Sequence, residues 1–195
     1  ARNAVFRGAE MSHTKLCNAD FTSADFAGAN LECADLMNCT GVNASFRGAK
    51  LSRAMLSGGD FTGADFTGAD MSNCDLEDTN LTNANLTGVD LTGSSMSKTL
   101  LVGAKLDGAR LSRAGMENVN GTGASFRGAT MVETNMQQAK FDRCDFAGAT
   151  MRVFMDLPAS FQGAFFSGAV LDGSILCDAC LHCANFRGAD LEACL

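Results

Sequence analysis

From Phe6 to Leu191 a bulky apolar residue recurs at every fifth position, and 35 of those 38 positions hold Leu, Phe or Met. The exceptions are Gly41, Gly121 and Asp156. A second column runs two residues earlier, from Ala4 to Cys194, where 25 of 39 positions are Ala and Phe154 is the one large residue. The position just before each bulky residue favours Asp or Asn, as at Asp20, Asp25, Asp60, Asp65, Asp70 and Asp75. The position two after it holds 17 of the 21 glycines. A period of five fits neither the 3.6 of a helix nor the 2 of a flat strand. If the bulky residue and the small one two before it both point inward, the other three positions face water and turn a corner. Gly permits the corner dihedrals, and Asp or Asn can accept hydrogen bonds from nearby backbone amides.

Four such sides make a square coil, which predicts a longer period of 20. Eight of the twelve Phe in the bulky column (Phe6, Phe26, Phe46, Phe66, Phe126, Phe146, Phe166 and Phe186) fall on the second face of that period. The other four, Phe21, Phe61, Phe141 and Phe161, fall on the first. All seven central Met lie on the third and fourth faces, so Phe is expected to stack on Phe while flexible Met fills the opposite wall. The tetrapeptide Phe-Arg-Gly-Ala begins at Phe6, Phe46, Phe126 and Phe186, all in one register. Residues 41–49 are echoed by residues 121–129, with both glycines of the bulky column on the first face.

On these residues the chain resembles the pentapeptide-repeat proteins. The resemblance implies an all-β fold, a right-handed quadrilateral β-helix: a solenoid of about ten 20-residue coils forming a single domain over residues 1–195, with an irregular coil near 151–160. At the usual inter-strand spacing the rod would be on the order of 45 Å long. Backbone hydrogen bonds would run between coils and leave both ends as open edges, to be covered by a partner, a second copy or further residues.

Composition narrows the function. Apolar residues make up 46% and charged residues 19%, enough for a sizeable core. The net charge of −7 argues against direct nucleic-acid binding, which normally needs a basic stripe. No apolar run approaches the roughly 20 residues of a membrane span. Nine cysteines are an odd count in a chain that can fold without staples, so reduced thiols are expected. His13 and His182 stand at opposite ends, and no Ser/His/Asp set, phosphate loop or paired-carboxylate cleft is visible. The expectation is a non-enzymatic protein with no cofactor. Relatives of this kind occur in bacterial cytoplasm and in the thylakoid lumen; an Ala1 start suits a cleaved precursor and equally a fragment.

In a regular scaffold, function is sought where regularity fails. At 151–158 the chain reads MRVFMDLP, with Phe154 in the small column and Asp156 in the bulky one. A bulged side that turns Phe154, Met155 or Leu157 outward is expected there, with the count of five resuming at Phe161. Beyond it the usual Asp/Asn position becomes apolar at Phe165, Val170 and Ile175, which reads as a protein contact surface for a partner or a second copy. Leu100 with Val102, and Met37 with Val42 and Met55, read as isolated surface apolars.

Cys177, Cys180 and Cys183 have metal-like spacing, with His182 and Cys194 nearby, yet the frame spreads the three outward over two sides of a corner, where surface thiols are the competing reading. Cys39, Cys74, Cys144 and Cys194 belong to the small inward column. Between residues 54 and 97 seven acids (Asp60, Asp65, Asp70, Asp75, Glu77, Asp78 and Asp90) meet no base. That belt either imitates DNA phosphates or serves the corner chemistry of the repeat. Arg7, Arg47, Arg127 and Arg187 share one face and are expected to be solvated. Two functions follow: a rigid rod that docks into a larger protein assembly or, by resemblance to Qnr-type members of the family, a DNA mimic that binds gyrase.

Overall fold

The structure is a computed structural model; it describes residues 1–154, 159–172, 174, 176 and 178–194, and of Phe154 only the backbone. Along most of the described chain, the residue before a bulky position forms a parallel bridge with the residue 20 further on, from Val5↔Asp25 to Val170↔Asp190. Successive 20-residue coils thus lie directly on one another.

One five-residue unit shows how the backbone is satisfied. Phe26 N donates to Ser45 O on the next coil at 2.7 Å, and Gly28 N to Arg47 O at 2.9 Å. Asn30 N reaches back to Ala9 O on the preceding coil at 2.9 Å. Ala29 N closes a turn on Phe26 O at 2.9 Å, and Ala27 N donates to Asp25 Oδ1 at 3.0 Å. Four of these amides find carbonyls in any such coil. The fifth depends on the side chain two residues earlier, which is why that column favours Asp and Asn.

The corner is a four-residue turn with a positive φ at its third residue alone, +67° at Gly28, which defines a type II turn. Glycine is not required there. Asn38, Arg53 and Lys98 hold φ of 57°, 60° and 60° at equivalent corners.

The interior is one bulky side chain and one small side chain deep. Phe6, Phe26, Phe46 and Phe66 stack with centroids 4.7, 4.9 and 4.8 Å apart. Phe126, Phe146, Phe166 and Phe186 repeat the arrangement at 4.9, 5.0 and 4.6 Å. First-face rings meet this stack edge-on, Phe61 at 5.8 Å from both Phe46 and Phe66. The two glycines in the bulky column are filled from the next coil. A Cβ on Gly41 would stand 2.5 Å from Cδ1 of Phe61, and one on Gly121 would stand 2.7 Å from Cδ1 of Phe141.

Polar residues enter the small column because each finds an acceptor. Thr79 and Thr99 hydroxyls donate to Leu56 O and Leu76 O at 3.0 and 2.8 Å, and the Cys74 thiol donates to Leu51 O at 2.9 Å. Among the described residues no buried side-chain nitrogen or oxygen lacks a partner.

The repeat slips once. β1 (Thr130–Asn135) and β2 (Thr150–Phe154) pair in parallel, with Thr134 opposite Val153 and Asn135 opposite Phe154. Glu133 is the extra residue of a bulge, because β2 is one residue shorter on this side. A strict count of five would put Phe154 in the small column, and this pairing sets its backbone opposite Asn135 instead. Val153 occupies the small column, fully buried, its amide donating to Ser174 Oγ at 3.3 Å while that hydroxyl donates to Met151 O at 3.0 Å. By Lys140↔Ser160 the offset of 20 is restored. One residue lost before Phe154 is therefore regained before Ser160. Met155, Asp156 and Leu157 lie outside the described residues.

Candidate interaction surface

The sides that follow the slip carry two of the exposed large apolar residues; Val5 and Leu191 near the two ends are others. Phe165 is bridged between Asp145 and Asn185, and Val170 between Thr150 and Asp190, so hydrogen bonding fixes both backbones. Their side chains point away from the core and are 51% and 39% exposed. Between them Phe166 and Ala169 are buried, and the corner Ser167–Gly168 is exposed. A Cβ on Gly168 would touch nothing within 4 Å. Phe165 and Val170 therefore flank a bare corner across two adjacent faces. Pairing with Asn135 brings the backbone of Phe154 into the same kind of column on the fourth face. Ile175 lies outside the described residues, as do Met155 and Leu157. Leu100 and Met55 are also exposed, at 41% and 37%, on sides remote in sequence from this corner.

The acidic residues have backbone work to do. Oδ1 of Asp60 accepts from Thr62 N at 3.1 Å, Asp65 from Thr67 N at 3.0 Å, Asp70 from Ser72 N at 3.0 Å and Asp75 from Glu77 N at 3.1 Å. These four stand one on each face of a single coil, and Asp90 bridges directly above Asp70. Basic residues from neighbouring coils engage several of the seven. Arg47 pairs with Asp65 at 2.8 Å, Arg110 with Asp90 at 3.5 Å, and Lys98 with Glu77 and Asp78 at 3.1 and 3.9 Å. At Asp65, burial pushes the pKa up, but hydrogen bonds from Thr67 and Arg47 outweigh it and hold the carboxyl below its usual range.

Three of the four Phe-Arg-Gly-Ala arginines are also not merely solvated. Arg7 pairs with Asp25, Arg47 with Asp65 and Arg127 with Asp145, each 18 residues further on. The spacing of 18 from Arg to Asp was the available signal in the sequence.

At Ser125 and Ser160, which replace the capping Asp or Asn, the coil below supplies the carboxylate. Asp107 accepts from Ser125 Oγ and from Arg127 N at 3.1 Å; Asp142 accepts from Ser160 Oγ and from Gln162 N at 3.1 Å.

Cys180 and Cys183 are exposed unpaired thiols, and Cys177 lies outside the described residues. Among the described residues no group of three or more His, Cys, Asp or Glu is placed to hold a metal. Burial pushes the thiols of Cys74 and Cys144 up to about 12, so both stay protonated.

The family described as pentapeptide repeats matches the sequence in eight copies, over residues 2–22, 19–58, 44–83, 60–97, 84–120, 99–138, 122–152 and 159–192. The chain belongs to the pentapeptide-repeat family. Its fold is accordingly a right-handed β-helix, and the solved structures it resembles are of this kind. HetL, a pentapeptide repeat protein of the cyanobacterium Nostoc sp. involved in heterocyst differentiation regulation, is 26% identical, with a TM-score of 0.52 over 99% of this chain and 87% of that one. Full-length QnrB1, a plasmid-mediated fluoroquinolone resistance protein, is 20% identical, with a TM-score of 0.49 over 98% and 91%. A pentapeptide repeat protein of the Arabidopsis thaliana thylakoid lumen is 27% identical, with a TM-score of 0.25 over 59% and 66%. No curated protein matches the chain. Among the described residues no helix is long and apolar enough to cross a membrane.

Proposed function

We propose that this pentapeptide-repeat chain is a non-enzymatic interaction rod, a single quadrilateral β-helix of about ten coils over residues 1–195. It docks into a protein assembly, or onto a second copy, through the coils that follow the slip at β2. The observation that carries this reading is the exposed pair Phe165 and Val170, standing where other sides place a capping Asp or Asn. Neither side chain packs in the core or caps a backbone amide, so burial against a partner is the physical use left for them. Phe154, Met155, Leu157 and Ile175 belong to this surface by their place in the sequence.

The DNA-mimic reading draws on the acidic belt. Its four capping aspartates encircle one coil, however, instead of forming two rows along the rod, and four of the seven acids carry basic partners. That arrangement lends gyrase binding no support.

The test compares the full chain with F165D/V170D in affinity purification from the native source and in light scattering of the purified proteins. A specific partner, or a dimer, present with the parent chain and lost with the variant supports the proposal. Identical partners and identical mass for both proteins would refute it. A supercoiling assay in which the chain protects gyrase would favour the alternative.

A further inference from the structure

Beside Phe165 a notch opens along the preceding corner. Its volume is about 480 Å³, and Lys140, Asp142, Arg143, Gln162, Gly163 and Cys183 line it. It opens because the corner residues of successive coils alternate in size. Arg143 N donates to Gln162 O and Gly163 N to His182 O, both at 2.8 Å, so these corners lie in one column. Gly163 leaves a gap between Arg143 below and Cys183 above. The Arg143 stem lies along its floor, with Cγ 3.7 Å from where a Gly163 Cβ would stand.

The notch is basic in an acidic protein, and the ladder explains why. On the Phe-Arg-Gly-Ala sides an arginine finds its carboxylate 18 residues on, as Arg47 finds Asp65 and Arg127 finds Asp145, and Arg113 finds Glu133 20 residues on. Eighteen residues beyond Arg143 stands the buried Phe161, and 20 residues to either side stand Gly123 and Gly163. Lys140 bridges between Asn120 and Ser160. Both cations are exposed, and neither has an ion pair among the described residues. The one carboxylate of the notch, Asp142, already accepts from Ser160 Oγ and Gln162 N through Oδ1. Lys140, Arg143 and Asp142 together leave a local charge of +1 where the whole chain carries −7.

Only Ala164 separates Gly163 from Phe165, so the basic notch and the exposed ring are roughly 7 Å apart along the backbone, two residues of an extended peptide. We propose that the docking surface takes an acidic protein segment in which a carboxylate lies two or three residues from a bulky apolar side chain. The carboxylate enters the notch between Lys140 and Arg143, with Gln162 as a further hydrogen-bond partner, and the apolar side chain lies on Phe165. This inference rests on the docking reading and names the chemistry of its partner. Complementary charge supplies orientation and the apolar contact supplies most of the affinity.

The test uses fluorescein-labelled peptides of the pattern Asp-Glu-Phe-Asp-Glu, a version with each acid replaced by its amide, and anisotropy titration against the full chain. The acidic peptide is expected to bind roughly tenfold more tightly than the amide version, a preference that fades in high salt. K140E/R143E should erase the preference, and F165D/V170D should weaken both peptides. If both peptides bind equally, if neither binds, or if K140E/R143E keeps the preference, the inference is overturned. In each case the partner and mass comparison of F165D/V170D still decides the docking reading. Circular dichroism of both variants confirms that the coils are retained, since all four positions are exposed.

Discussion

Removal of a single carboxylate, Asp65, separates the two meanings of acidity in this rod. Its Oδ1 accepts from Thr67 N at 3.0 Å and from Thr67 Oγ1 at 2.5 Å, while Oδ2 pairs with Arg47 at 2.8 Å. Asp65→Ala deletes both functions, whereas Asp65→Asn keeps the capping oxygen and deletes the charge. Asn already serves this role at Asn85, which accepts from Thr87 N at 3.2 Å and Thr87 Oγ1 at 2.7 Å. Losing a cap of this kind costs about 1–2 kcal/mol. The Arg47–Asp65 pair is 57% and 31% exposed, so screening leaves it below about 1 kcal/mol. Asp65→Ala should therefore lower the melting temperature by roughly 3–6 °C, and Asp65→Asn by less than half of that. The assay is thermal and urea unfolding followed by circular dichroism, since the chain has no Trp or Tyr. Added salt should shrink the effect of Arg47→Ala and leave the gap between the two Asp65 variants unchanged. Equal destabilisation by Asn and Ala would refute the reasoning, because the column would then be set by charge and the belt would again read as a binding feature.

Four further outcomes are expected. Hydrogen bonds from Thr22 and Arg2 at Asp20, from Ala27 and Arg7 at Asp25, and from Thr67 and Arg47 at Asp65 hold all three carboxyls below their usual range. Their stabilisation is thus fully present above the unfolded value near pH 4 and fades as pH falls through the folded values; urea midpoints that rise between pH 5 and pH 3 would contradict this. Phe146→Ala empties a fully buried site stacked 4.9 and 5.0 Å from Phe126 and Phe166 and should cost about 3–5 kcal/mol, while Phe6→Ala, half-buried with one stacked neighbour, should cost clearly less by the same urea titration. Gly121→Leu must displace the Phe141 ring and should destabilise by about 1–3 kcal/mol, with Phe141→Ala in the same chain recovering part of the loss in a double-mutant cycle. Native thiol titration at pH 8 should label Cys17, Cys180 and Cys183 quickly and leave Cys74 and Cys144 unreacted until urea is added; rapid labelling of either buried thiol would mean the coils open locally.

The fold was legible because a period of five leaves little freedom. Phe26, Phe46 and Phe66 can stack only if 20 residues close one coil, and the alternation of one large with one small inward residue sets the width of the interior. The Asp/Asn column was legible for the same reason, since a local turn amide needs an acceptor two residues away. The site was less legible. Phe165 and Val170 could be picked out as departures from that column, and a bulged side could be expected at 151–158, but a count of five cannot place a one-residue slip that is later repaired. The arginine ladder was missed although its spacing of 18 is written in the chain, because that spacing acquires meaning only once coils are stacked.

The sequence by itself thus determined what is periodic: the coil, the inward columns and the turn chemistry, all of which follow from local spacing and side-chain size. Only the tertiary structure decided what neighbouring coils do to one another. It put Val153 inside, filled Gly41 and Gly121 with rings from the coil above, and paired Arg47 with Asp65 while leaving Lys140 and Arg143 without an ion pair among the described residues. Contacts between residues 18 to 20 apart are set by the stacking of whole coils, and the sum of all four sides determines where each side chain finally meets its neighbour.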